Sequence, residues 1–228
     1  MNNELATKLI VFMTNAYFIA EAPLGIINLV KVFYDEDDRV VWVLKKLKKM
    51  FQMAGVEYED VIHEESDKEQ MPFGHMPVLE VDGELIPQSG AINRFIANKL
   101  GFAGHTAVEK AWADAFSDLY NDFLGEVKAW GAVAFKGQPG DKDELKKTVF
   151  DPAKNNYFKR LSQRLDKSKS GFLLDSGISY PDLMFFETSS LLQGFEPTYF
   201  ESEFPLVKEY FDRIGEHPKL KPKLENKQ

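Results

Sequence analysis

Apolar and polar residues follow two different periods along this 228-residue chain. In the first hundred residues, short apolar runs at 29–34 and 58–62 predict strands. Between them, an apolar residue recurs every third or fourth position, which predicts an amphipathic helix over 39–54 that ends at Gly55. The apolar face of this helix comprises Val40, Val43, Leu44, Leu47, Met50, Phe51 and Ala54. We interpret the lysine-rich run 45–49 as a solvated face of the same helix.

A third strand signal begins at Pro77, where the missing N–H of proline is least costly. Val78, Leu79 and Val81 suit a buried strand, and Asp82-Gly83 is a typical hairpin turn. The sequence therefore predicts a hairpin over 78–86. A helix over about 89–100 follows, with Ser89 as its N-cap or first-turn residue.

Beyond residue 105 the pattern is helical throughout. We expect one long helix from about 107 into the 130s, a break at 137–141, and further helices at about 142–167, 180–193 and 203–215. Ser179-Tyr180-Pro181-Asp182 resembles a capping box, with proline in the first turn. The order predicts an α/β domain over 1–100, a linker at 101–104 and an all-α domain over 105–228.

The composition of the chain argues against several classes of function. A net charge of −8 argues against a nucleic-acid-binding surface. The chain has no cysteine, which excludes disulfides, thiolate nucleophiles and cysteine-ligated zinc. Its four histidines show no ligand spacing, so we expect no metal site. The aromatic residues of the helical half are interpreted as core (Trp112, Phe116, Tyr120, Trp130, Phe135).

The N-terminal segment 9–30 is rich in apolar residues, and Ala20-Glu21-Ala22 resembles a signal-peptide cleavage site. However, Asn15 interrupts the apolar run, and Pro23 directly follows the cleavage position. We therefore expect neither a signal peptide nor a membrane anchor.

The start of the helix at Ser89 has a chemistry of its own. Free backbone N–H groups and the helix dipole at such a position hold a carboxylate. Gln88 and Ser89 add polar side chains there. The residues alone are compatible with a small anion pocket or with an ordinary capped helix.

From about Val56 to the C-terminus, roughly three quarters of its length, the chain resembles the nematode-type, sigma-like cytosolic glutathione transferases. That resemblance implies a thioredoxin-like N-terminal domain that binds glutathione, an all-helical C-terminal domain with a pocket for a small-molecule electrophile, a homodimer and a cytoplasmic location. The matching segments are 55–60, 72–83, 88–89, 101–104, 171–174 with Ser179 and Asp182, and 217–221.

The resemblance also implies roles for individual residues. The backbone of Met76 should pair with the cysteinyl part of glutathione, a contact that Pro77 permits. Gln88 and Ser89 should hold the γ-glutamyl carboxylate. Asp122 lies where an acidic residue of the family reaches across the dimer to the γ-glutamyl amine, although an exposed helix carboxylate is an equally good interpretation.

Catalysis in the family uses a tyrosine hydroxyl that donates to the glutathione thiolate and lowers the thiol pKa. Three alignments compete for that tyrosine. We favour Tyr34, at the end of the strand 29–34, although Asp35 follows it instead of phenylalanine. The alternatives are Val11, which would leave the thiolate without a donor, and Tyr17, which retains a local Tyr-Phe motif.

Two departures from the family weaken the prediction of activity. The loop Asp35–Asp38 is acidic and would repel a thiolate, and Arg39 offsets this only in part. The tryptophan and lysine that contact the glycine end of glutathione are absent, with Lys68 or His75 as possible substitutes. Residues 1–50 are either a divergent N-terminus or misjoined sequence. The leading hypothesis is a glutathione transferase, for conjugation, isomerisation or peroxide reduction, and the alternative is a non-catalytic binding or structural protein of the same fold.

Overall fold

A computed structural model describes residues 30–34, 38–62 and 69–221. Its first half is a four-stranded sheet with the strand order β2-β1-β3-β4. Strand β1 (Val30–Tyr34) runs parallel to β2 (Glu59–Ile62) and antiparallel to β3 (Val78–Val81), which pairs in turn with β4 (Glu84–Pro87). The predicted hairpin is confirmed. Asp82 and Gly83 both have positive φ, at 51° and 88°, as a two-residue hairpin turn requires.

In the described part of the chain, two helices accompany the sheet. Helix α1 (Asp38–Ala54) makes the crossover that parallel strands β1 and β2 need, and α2 (Ser89–Leu100) follows β4. Helix α1 buries Leu47, Met50 and Phe51, as its apolar pattern predicts. The interpretation of 45–49 as a solvated face is wrong for two of its lysines, because Lys46 is only 5% exposed and the Lys49 side chain only 14%.

The second half is entirely helical, apart from loops and one isolated bridge, in the part that the structure describes. The predicted long helix from 107 is interrupted at Val127, which is buried, just after Gly125. Glycine weakens a helix by about 1 kcal/mol relative to alanine, so an interruption of the helix costs little there. The helices are α3 (Ala107–Glu126), α4 (Lys128–Lys136), α5 (Lys142–Leu145), a π-helical turn (Lys146–Phe150), α6 (Asp151–Leu165), α7 (Tyr180–Phe195) and α8 (Pro205–Gly215).

The aromatic side chains of this half are mostly core, as expected. Phe116, Tyr120 and Trp130 are buried, and Phe135 packs against the buried cluster. Trp112 departs from the expectation, because it is 51% exposed on α3. The predicted order of an α/β unit and an all-α unit is confirmed.

Helix α3 begins with a complete capping box. The Thr106 hydroxyl accepts from the Glu109 N–H at 3.1 Å, and Glu109 accepts from the backbone of His105 and Thr106. Its other oxygen accepts from the Ser176 N–H at 3.0 Å, which fastens the loop before α7 to α3. Burial alone would raise the pKa of Glu109, but these hydrogen bonds outweigh it and lower the pKa.

Helix α7 begins with the second capping box, which the sequence predicted. The buried Asp182 carboxylate accepts from the Ser179 N–H at 2.7 Å and from the Ser179 hydroxyl. It also accepts from the Leu173 N–H at 2.9 Å and from the Tyr210 hydroxyl at 2.6 Å. Burial raises the pKa of Asp182, while the hydrogen bonds oppose that shift. One carboxylate therefore joins α7 to α8 and to the loop at 173.

The start of α7 also touches the first half of the chain. The Tyr180 N–H donates to the Phe102 carbonyl at 2.9 Å, and the Tyr180 hydroxyl donates to Asp114 on α3 at 2.7 Å. Helix α1 packs along the same helix, where Lys49 forms a 2.8 Å ion pair with Glu187. Helix α7 is therefore the element on which the sheet unit and the other helices meet.

Among the described residues, none of the helices combines the length and apolar character that a bilayer crossing requires.

We predict that Asp182→Ala lowers the free energy of unfolding by about 3 kcal/mol, because four buried donors lose their acceptor at once. Urea denaturation followed by circular dichroism measures the change. Asp212→Ala is the control, because Asp212 is an exposed carboxylate with a single ion-pair partner, Lys208. An equal loss in both variants would contradict a special role for Asp182.

Candidate functional site

The sheet register brings the sequence-predicted residues to one edge. Phe33 pairs with Val78, so Tyr34 lies opposite Pro77. Val78 pairs with Pro87, so the next residue beyond each, Pro77 and Gln88, also lie at that edge. The end of β1, the start of β3 and the start of α2 therefore meet at one place, although these segments are distant in sequence.

Met76 presents its backbone at this edge. The Met76-Pro77 peptide bond is cis, and Pro77 is buried while Met76 is half-buried. In the part of the chain that the structure describes, neither the N–H nor the C=O of Met76 has a hydrogen-bond partner. A donor and an acceptor on one residue at a sheet edge are suited to pair with an extended peptide-like ligand.

Helix α2 begins without a side-chain cap. Its first intrahelical bond runs from the Ile92 N–H to the Gln88 carbonyl at 2.9 Å, which leaves the N–H groups of Ser89, Gly90 and Ala91 without a partner inside the helix. Helices α3 and α7, in contrast, have complete capping boxes. The start of α2 is therefore free to receive an anion.

Two further features favour an anion at this helix start. Gln88 has φ 73° and ψ 117°, a conformation that non-glycine residues rarely adopt and that concentrates at functional sites. The guanidinium of Arg94 lies beside Gly90, since a Cβ at Gly90 would be 3.7 Å from both of its terminal nitrogens. A carboxylate bound at Ser89 would thus meet free N–H groups, the helix dipole and a nearby positive charge.

Asp122 lies on the exposed side of α3. It lines a recess between α3 and α6 together with Phe123, Asn156 and Arg160. Within the described residues, its carboxylate has no hydrogen-bond or ion-pair partner. The carboxylate is thus available to a ligand or to a second protein chain.

Tyr34, the predicted thiolate donor, is the last residue of β1, and α1 begins four residues later at Asp38. The role of its hydroxyl stays a prediction. The competing candidates Val11 and Tyr17, the loop residues 35–37 and Lys68 lie outside the described residues, and His75 is exposed on the loop before Met76.

The sequence analysis missed a buried polar cluster between α1 and the helical half. The Lys46 ammonium donates to the Tyr120 hydroxyl at 2.9 Å, and that hydroxyl lies 2.5 Å from Oγ1 of Thr188 on α7. The helical spacing could have predicted that Lys46 is buried, because it lies three residues after Val43 and four before Met50 on the predicted buried face.

Comparison with known families gives three matches along the chain. The glutathione S-transferase N-terminal domain matches residues 38–98, and the glutathione S-transferase C-terminal domain matches residues 126–227. Residues 1–56 match the family described as serpentine type 7TM GPCR chemoreceptor Srw. The first and third matches overlap over 38–56, which includes α1.

Individual relatives agree with the transferase matches. The chain is 36% identical over 182 residues to glutathione S-transferase 4 of Caenorhabditis elegans, which covers 77% of this chain and 86% of the relative. It is 32% identical over 176 residues to glutathione S-transferase 1 of Ascaris suum, and the alignment covers 75% of this chain and 85% of the relative. A glutathione S-transferase of the hookworm Necator americanus, described as monomeric, superposes with a TM-score of 0.79 at 35% identity and covers 88% of this chain and 98% of its own.

We predict that Ser89→Ala weakens glutathione binding about tenfold, because one donor to the bound carboxylate is lost. Isothermal titration calorimetry with glutathione measures the affinity. Folding stability should not change, since the Ser89 side chain does not cap α2. Ser190→Ala, on the exposed side of α7, is the control, and an equal affinity in all three proteins would remove Ser89 from the site.

Proposed function

This chain belongs to the glutathione S-transferase family, and we propose that it activates the thiol of glutathione at the sheet edge where Tyr34, Met76 and Ser89 meet. Glutathione is the co-substrate, and its transfer to a small electrophile is the reaction. The observation that carries the assignment of the site is the combination, at one edge, of a Met76 backbone without a partner among the described residues and an α2 without a side-chain cap.

In this proposal the two features bind different parts of glutathione. The N–H and C=O of Met76 pair with the cysteinyl residue, as a strand edge pairs with an extended peptide. The γ-glutamyl carboxylate lies against the free N–H groups of α2, with Gln88 and Ser89 as side-chain donors. The cysteinyl sulfur then lies toward the end of β1, because Tyr34 is opposite Pro77 in the sheet.

The chemical step in this proposal needs a thiolate at neutral pH. The Tyr34 hydroxyl donates a hydrogen bond to the sulfur, which stabilises the charged form and lowers the thiol pKa. The thiolate attacks an electrophilic carbon, and a carbon–sulfur bond forms. In a substitution the leaving group departs with its electron pair, whereas in an addition a proton from water completes the product.

We predict that Tyr34→Phe lowers kcat/KM for conjugation of 1-chloro-2,4-dinitrobenzene about a hundredfold, because the thiolate loses its donor. Glutathione affinity should stay within about twofold, since the carboxylate and backbone contacts remain. The pH at which the rate is half-maximal should rise, because the thiol pKa returns toward its ordinary value.

Tyr58→Phe is the matched control, since Tyr58 lies in the same domain and stacks on Phe51 away from the proposed edge. If Tyr34→Phe equals the wild type in rate and pH profile, the donor is another residue. If the wild type binds glutathione but conjugates nothing, the chain is a binding protein of this fold.

We further propose that two copies of the chain form a homodimer, and that the enzyme is sigma-like and acts in detoxification in the cytoplasm. An apolar stripe on α3 supports the dimer. Val108 and Trp112 are 68% and 51% exposed, and with Ala107, Ala111 and Ala115 they border an open recess of about 400 Å³. Contiguous exposed apolar surface of this kind typically marks an interface.

The dimer also gives Asp122 a function. Its exposed carboxylate, which has no partner among the described residues, lies on the same helix as the stripe, two turns beyond Ala115. Across a twofold axis it would approach the glutathione amine bound to the other copy. The site of each copy would then be complete only in the pair.

We predict that Trp112→Glu converts the dimer into monomers, because a charge cannot be buried unpaired in the apolar stripe. Light scattering coupled to size-exclusion chromatography measures the mass. Phe195→Glu is the control, since Phe195 is another exposed aromatic residue, at the far end of α7. A monomeric wild type would overturn the proposal.

A further inference from the structure

The recess between α1 and α7 contains an unusual side chain. Lys46 is 5% exposed, and among the described residues no carboxylate lies within ion-pair distance of its ammonium. One of its three N–H bonds is directed to the Tyr120 hydroxyl, and the ammonium also lies 4.4 Å from the centre of the Tyr120 ring. A buried charge without an ionic partner is costly, so its presence calls for an explanation.

The surroundings of Lys46 are positively charged. The recess is lined by Lys45, Lys46, Glu187, Thr188 and Leu191, and Lys45 is exposed at its mouth. Among the described residues of this lining, Glu187 is the single carboxylate, and Lys49 already holds it in an ion pair. The charges of the recess thus favour an anion, and the Thr188 hydroxyl offers a further polar partner.

The size of the recess limits what enters it. About 210 Å³ lies between its walls, part of it open to solvent, but a water-sized group fits into only about 10 Å³ of it. That space admits one small polar group, such as an oxygen of a carboxylate, rather than a whole aromatic ring. The rest of a ligand would extend toward the mouth.

The recess lies along the helix that follows the strand at which we place the reacting sulfur in the proposed function. Helix α1 starts at Asp38, four residues after the end of β1, and Lys46 follows eight residues later, about 12 Å along the helix axis. Helical side chains lean toward the N-terminus, which brings the ammonium closer to the start of α1 than its Cα. An elongated electrophile that reacts at the sulfur and places an anionic group at Lys46 would have to span a length of this order.

We propose that Lys46 binds an anionic group of the electrophile, so that the enzyme prefers electrophiles that carry a carboxylate at some distance from the reacting carbon. This inference rests on the proposed function and specifies its substrate class. The pocket that the family resemblance implies for an electrophile would then have one cationic end.

Ethacrynate and its neutral amide test the proposal as a matched pair. In both, the glutathione thiolate adds to the terminal alkene carbon, a carbon–sulfur bond forms and water protonates the resulting enolate. The carboxylate of ethacrynate lies across the aryl ring from the alkene. We predict that the wild type prefers ethacrynate, and that Lys46→Met lowers kcat/KM for ethacrynate about tenfold while that for the amide changes less than about twofold.

Lys142→Met is the control for net charge, because Lys142 is exposed on α5. The melting temperature of Lys46→Met should not fall, since methionine retains much of the buried stem and removes an unpaired charge. An equal loss for ethacrynate and its amide, or no loss for either, would overturn the inference.

Equilibrium binding separates this inference from the proposed function. The fluorescent probes 8-anilinonaphthalene-1-sulfonate and N-phenyl-1-naphthylamine differ by one sulfonate. Lys46→Met should weaken binding of the first about tenfold and leave the second unchanged. If the wild type turns over no electrophile, the proposed catalytic function is wrong, but these titrations still test whether Lys46 binds an anion. If the wild type and Lys46→Met bind the sulfonate probe with equal affinity, the anion site is rejected.

Discussion

The buried carboxylate of Asp182 is the contact on which the arrangement of both halves depends. It receives hydrogen bonds from Ser179, Leu173 and Tyr210, which fixes the start of α7, the loop before it and α8 together. Helix α7 in turn carries Glu187 and Thr188, which hold α1 through Lys49 and through the Tyr120–Lys46 pair. Since α1 connects β1 to β2, the geometry of the sheet edge is linked to one capping box more than a hundred residues away.

The starts of α2, α3 and α7 show which helix ends are committed to stability and which end is open for binding. Helices α3 and α7 satisfy their first N–H groups with Thr106, Glu109, Ser179 and Asp182, and these side chains are thereby committed to the fold. Helix α2 leaves its first N–H groups open. Sequence reasoning treated Ser89 as a cap or a first-turn residue, and the structure makes it the first residue of an uncapped helix. The missing cap is what makes the position suitable for a ligand carboxylate.

Local signals predicted most of the fold. The Asp82-Gly83 turn, the glycine after α1 and the Ser179-to-Asp182 spacing each fix a backbone conformation within a few residues, so they can be read directly. The interruption at Val127 and the exposure of Trp112 depend instead on what packs against α3, which the local pattern does not contain. Lys46 is an intermediate case. Its position on the buried face could be read from the spacing, but its partners Tyr120 and Thr188 come from distant segments.

The candidate site could be predicted from the sequence only where its residues lie close together in the chain or are joined by strand pairing. Met76, Gln88 and Ser89 lie in one continuous segment, and the register of β1 on β3 adds Tyr34 to the same edge. The N-terminal region matches two different families. Residues 1–56 match a receptor family, and residues 38–98 match the transferase domain. The overlap coincides with α1, and α1 packs on α7 and buries Leu47 and Phe51 in the common core. Helix α1 is thus packed as part of the transferase fold, although the receptor-like match extends through it.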